Sequence, residues 1–145
     1  MDWKNEAIDK LKQYEAKRES LIIIPKQIAE IDSTMLSIRR GSIDGIPVRS
    51  GGNKREDMLL SCIAQKEELS CCLDRAGLWV ESVTGGLEVL DPDSRLILER
   101  FYIHPEKYAA DRLASDLGID VKTVYARKDR ALRLFTIALY GVSES

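Results

Sequence analysis

The sequence predicts an all-α chain: a long antiparallel, coiled-coil-like helical hairpin over residues 1–90, then a small three-helix helix-turn-helix domain over 91–145. Three observations lead there. Apolar residues recur at three- and four-residue steps through two long stretches, the period of an amphipathic helix. The run Asp91-Pro92-Asp93-Ser94 is strong helix-start punctuation and sets off the last third of the chain. Finally, AADRLASDLGIDVKTVYARKDRALRL, from Ala109 to Leu134, puts a small residue, a glycine and an aliphatic residue where two helices crossing at a tight turn require them.

From Asp2 to about Arg40, Ala7, Leu11, Tyr14, Leu21, Ile28 and Met35 mark one face of a long helix, with Lys, Glu and Gln between them. Pro25 follows Leu21-Ile22-Ile23-Ile24; a proline removes one hydrogen bond and crowds the preceding turn, so a kink or a short break is expected there. Residues 41–54, GSIDGIPVRSGGNK, follow neither period and carry four glycines and a proline, which predicts a loop. Arg39, Arg40, Arg49, Lys54 and Arg55 make it basic, yet no P-loop pattern accompanies the glycines.

From Glu56 to Leu90 the residues Leu59, Cys62, Lys66, Leu69, Leu73, Ala76, Val80, Val83, Leu87 and Leu90 form a heptad seam. A helix of that span is about 50 Å long, close to the first, so the two can lie antiparallel, with Leu69 and Leu73 buried between them. Lys66 is the polar exception in the seam, expected to face Arg18 or an acid of the opposite helix. Gly77, Gly85 and Gly86 each weaken the helix by about 1 kcal/mol relative to alanine, and a bend near Gly85 is the expected departure from a straight rod.

Asp91 then caps a new helix with Pro92 in its first turn, ending at His104-Pro105. In the reader pair Ala114 lets the helices touch, Gly118 makes a left-handed turn, and Val124 plugs the second helix onto the first. Leu113, Leu117 and Ile119 fill the remaining inward positions. Asp120 is the N-cap of the last helix, whose inward face is expected to run through Val124, Ala131 and Leu134. That helix ends at Gly141, and its apolar far end, Phe135, Ile137, Ala138 and Leu139, should pack back on the rod or on a second copy of the chain.

Spacing alone is compatible with an ordinary helical hairpin, but the residues also carry a resemblance. YAADRLASDLGIDVKTVYARKDRAL resembles the promoter-reading last domain of bacterial sigma factors, and more closely the phage and prophage regulators of the ArpU and RinA type. The aliphatic-aromatic pair Val124-Tyr125, then Ala131-Leu132, then Phe135 and Tyr140-Gly141, carries it. The likeness covers the last 55 residues well and the first 90 by layout only. Arg127 departs from the pattern: it stands where an apolar residue would dock the helix, so either it snorkels past the core or the helix is rotated.

The resemblance implies a transcription regulator of phage late or packaging genes whose partners are double-stranded DNA and host RNA polymerase. In that reading Lys122, Thr123, Tyr125 and Ala126 face base edges, while Arg112, Arg127, Lys128 and Arg130 meet phosphates. The alternative is an assembly or DNA-packaging adaptor, oligomeric through the hairpin or the last helix, in which the helix-turn-helix binds DNA weakly or only packs.

Composition bounds both readings. The chain has 22 basic and 24 acidic residues, a net charge of −2, so it lacks the overall surplus of a nonspecific nucleic-acid binder. The last helix nevertheless carries Lys122, Arg127, Lys128, Arg130 and Arg133 against Asp129 alone. Cys62, Cys71 and Cys72 have no CxxC spacing and His104 lies far from them, which indicates neither a disulfide framework nor a metal site and points to a reducing cytoplasm. One histidine and acids dispersed among lysines give no active-site signature, so no enzyme and no cofactor are expected. Nor does any apolar run reach membrane-spanning length.

Overall fold

The two periodic stretches form two long helices: α1, Trp3–Arg39, and α2, Gly51–Glu88. Three shorter helices come after them: α3, Pro92–Leu98, which continues as a π-helical turn Glu99–Ile103; α4, Ala109–Leu117; and α5, Val121–Tyr140. This is a computed structural model that describes residues 1–41 and 51–143, and no strand occurs among the described residues. The fold divides into two compact units, a terminal one of Met1–Arg18 with Leu78–Ser145 and a middle one of Glu19–Gly77.

Within each unit α1 and α2 run antiparallel. In the terminal unit the Tyr14 hydroxyl meets that of Thr84 at 2.6 Å and Lys17 lies over the Trp79 ring at 4.2 Å. In the middle unit Lys66 donates to Asp32 at 2.7 Å, which is the acidic neighbour its seam position calls for. The seam is sealed unevenly. Val80, Val83, Leu87 and Leu90 are buried, but Leu59, Cys62, Lys66, Leu69, Leu73 and Ala76 are only half-buried. Leu69 and Leu73 are therefore not the closed layer that periodicity suggests: in the middle unit each helix has a single neighbour, and one contact stripe cannot enclose a leucine on all sides.

Both long helices run on through residues expected to disturb them, and one loop boundary is corrected. α1 passes through Pro25 without a break, because Pro25 lies on an exposed stretch where the Leu21 carbonyl it leaves unserved can meet solvent. Residues 51–54 of the expected loop open α2 instead, since the first amides of a helix need no intrahelical partner and good helix formers come directly after; residues 42–50 lie outside the described residues. α2 likewise continues through Gly85 to Glu88.

The terminal unit holds the dense core. Ile97 of α3, Ala110 and Leu113 of α4 and Val124 of α5 pack together, with Leu96, Phe101, Ala114, Leu117, Ile119 and Val121 around them. Farther along α5, Ala131, Leu132, Phe135 and Thr136 are buried while Leu134 is 42% exposed, so the inward face runs through Leu132 and Phe135 rather than Leu134. Close approach to α2 explains this. A Cβ built on Gly86 would sit 3.0 Å from both Phe135 and Leu139, so only glycine lets α5 lie against α2 here. The end of α5 thus packs back on the long helices of its own chain, with the Tyr140 ring also 4.9 Å from that of Trp3.

Candidate nucleic-acid interface

The turn between α4 and α5 is built by residues whose local chemistry dictates it. Gly118 adopts φ 68°, in the left-handed region that costs glycine nothing, and the Ile119 amide donates back to the Ala114 carbonyl at 3.1 Å. Two residues later Asp120 caps α5, its Oδ1 accepting the Thr123 amide at 2.9 Å. The Thr123 side chain and amide together hold the Asp120 carboxyl below the ordinary carboxylate value. Val124, fully buried, fixes how α5 is rotated over α4.

That rotation sorts the sequence-derived residues. Lys122, Ala126, Arg127 and Arg130 are exposed, and Tyr125 is 46% exposed. Thr123 is half-buried, its amide engaged by the cap. Arg127 faces outward, and the core beneath it is closed by Val124 and Ala131. With Arg130 and Leu134 it lines a cavity of about 440 Å³ whose far side is Asp91, Asp93 and Ser94 at the start of α3. The side chain of Ser94 and then its amide lower the Asp91 pKa, with Arg127 contributing at longer range.

Lys128 is half-buried, its ammonium 5.0 Å from the ring centres of both Phe101 and Tyr125, and those rings are 5.9 Å apart. Tyr125 is thereby propped from one side by an aromatic ring and a cation, a restraint that aims it outward. Arg112 on α4 is exposed and lies 3.5 Å from Glu106, which in turn is 3.6 Å from Arg100. Arg100 also pairs with Asp116, and that hydrogen bond raises its pKa first among several acidic influences. This acid-base chain staples the π-helical turn to α4.

Sequence reasoning missed the Arg100 network and the Phe101 prop, because the residues involved are distant in sequence and obey no period. Tyr108 was missed as well: immediately before α4 it takes φ 60°, a left-handed conformation that the sequence does not signal for a tyrosine. His104 ends the π-helical turn, exposed, with Nε2 3.4 Å from Glu15. No group of metal-ligating side chains occurs among the described residues, and no described helix is long and apolar enough to cross a membrane. Comparison with family models, curated proteins and solved structures finds no match to this chain.

Proposed function

We propose that this chain is a sequence-specific regulator of transcription that binds double-stranded DNA, laying α5 in the major groove. One observation carries the reading. A short helix, a left-handed glycine turn and a capped second helix present Lys122, Tyr125, Ala126 and Arg130 to solvent from an element whose opposite face is locked in a core. Lys122, Thr123, Tyr125 and Ala126 read base edges; Arg112, Arg127, Lys128 and Arg130 hold phosphates. The resemblance to ArpU and RinA type regulators supports activation of phage or prophage late genes in a bacterial cytoplasm, with host RNA polymerase as second partner.

The test is binding to duplexes drawn from the chain's own genomic neighbourhood, by anisotropy at low and then near-physiological salt. Because Lys128 also props Tyr125, removing it mixes two effects, and Arg130 is the cleaner phosphate probe. Tyr125→Ala should weaken the cognate site by about 1 kcal/mol or more and random DNA less. Arg130→Ala should weaken both alike and lower the salt slope by about one unit. A second reading, an assembly or packaging adaptor, is favoured by the aliphatic side chains Ile22, Ile23, Leu36, Leu60 and Ile63, which stand exposed on the middle unit. Failure to bind any of these duplexes at low salt would replace the regulator with the adaptor.

A further inference from the structure

The middle unit carries an incompletely covered apolar face, and every residue involved belongs to that unit. Its two helices bury only Met35 and Ile38 among their described apolar side chains, while Ile22, Leu36, Leu60 and Ile63 remain exposed. At 100° per residue, Ile22, Pro25, Ala29, Asp32 and Leu36 fall on one flank of α1. Leu60, Ile63, Glu67, Ser70 and Asp74 fall on one flank of α2. The two flanks adjoin: Met35 and Arg39 of α1 and Ile63, Lys66, Glu67, Ser70, Cys71 and Asp74 of α2 line one cleft of about 500 Å³.

The charges along that cleft say what covers it. Lys66 and Asp32 pair across its middle. Arg39 lies seven residues from Asp32 toward one end, and Asp74 lies eight residues from Lys66 toward the other, as the numbering shows. At 1.5 Å rise per residue the two stand about 10 and about 12 Å from the centre on opposite sides. Neither forms an ion pair among the described residues. A two-fold axis through the Lys66–Asp32 pair exchanges the two ends of the cleft, so each Arg39 comes to the end that holds the other copy's Asp74, while Lys66 and Asp32, already neutralised by each other, lie at the axis.

The area is adequate. Eighteen residues of paired helix make a face about 27 Å long and about 20 Å wide, which with side-chain relief approaches the roughly 800 Å² per partner of a standard interface. We propose that this face is the homodimer interface of the protein, formed by two hairpins as a four-helix layer. It does not depend on the DNA-binding reading, and its test contains no DNA.

The test is charge exchange in the full chain, read by sedimentation equilibrium over a wide concentration range, with circular dichroism to show that helicity is kept. Wild type should be a dimer. Arg39→Asp alone sets acids against acids, Asp74→Arg alone sets bases against bases, and each should raise the dissociation constant about tenfold or more. Mixing the two variants should restore the dimer. In each mixed pair the aspartate introduced by Arg39→Asp meets the arginine introduced by Asp74→Arg at one end of the cleft, and the native Arg39 and Asp74 meet at the other. Wild type that stays monomeric, or a dimer indifferent to both substitutions, overturns the proposal. So does a mixture that fails to recover, which would assign the face to a different protein.

Discussion

The terminal and middle units both contain parts of α1 and α2, yet they close their interiors differently. In the terminal unit the seam residues Val80, Val83, Leu87 and Leu90 are buried, where α5 packs against α2 at Gly86. In the middle unit, where α1 and α2 have only each other, the seam residues Leu59, Leu69 and Leu73 stay half-buried. The same heptad pattern therefore yields a sealed core or an open stripe according to how many neighbours a helix has. A side chain's period tells which way it points, and its surroundings decide what it contributes.

The sharpest way to break this comparison is to truncate one leucine in each unit. Leu113→Ala should cost about 3–5 kcal/mol in chemical denaturation, since its methyl groups leave a cavity that the surrounding core cannot refill. Leu73→Ala, half-buried, should cost about 1 kcal/mol. Equal losses would mean that the middle unit is as tightly enclosed as the terminal one.

Legibility in the sequence divides the same way. Ala114, Gly118, Asp120 and Val124 could be placed because their chemistry is local: a left-handed glycine, a carboxylate one turn from the amide it caps, a small residue at a crossing. Leu132 and Leu134 could not be told apart, since both lie within the apolar half of α5 and only the approach of α2 at Gly86 selects one. The half-buried state of Leu69 and Leu73 was illegible for the converse reason, because a missing neighbour leaves no mark on periodicity. The start of α2 was misjudged because glycines weaken a helix through hydrogen bonds and backbone freedom that a helix end can excuse.

Two adjacent glycines in α2 offer a smaller and more discriminating test. Gly86→Ala would set a methyl 3.0 Å from Phe135, which has no room to yield, and should destabilise by about 1–3 kcal/mol. Gly85 is exposed, with nothing within 4 Å of a built Cβ, so Gly85→Ala should stabilise by up to about 1 kcal/mol through helix propensity alone. Opposite signs at neighbouring positions, seen as melting temperatures moving apart, would confirm that α5 touches α2 on one side of the helix only. Two changes of the same sign would contradict the packing.

The smallest expected effect concerns the cap that starts α5. Thr123 holds the Asp120 carboxyl below its ordinary value in the folded chain, so the ionised cap stabilises the fold. That contribution is complete above the unfolded carboxylate pKa and fades as pH falls through the lower folded value, where the native carboxylate finally takes up its proton. Asp120→Asn keeps a side-chain oxygen for the Thr123 amide but removes the charge that favours a helix N-terminus. Wild type should therefore melt above the Asn variant at neutral pH, and the gap should narrow as the pH is taken down through and below the ordinary carboxylate range. If the gap is the same at both ends of the titration, the carboxylate charge contributes nothing and the cap acts only as a neutral acceptor. The same measurement on Asp32→Asn, an exposed acid of the middle unit for which no such cap exists, provides the contrast between a charge fixed by backbone geometry and one held only by a flexible lysine.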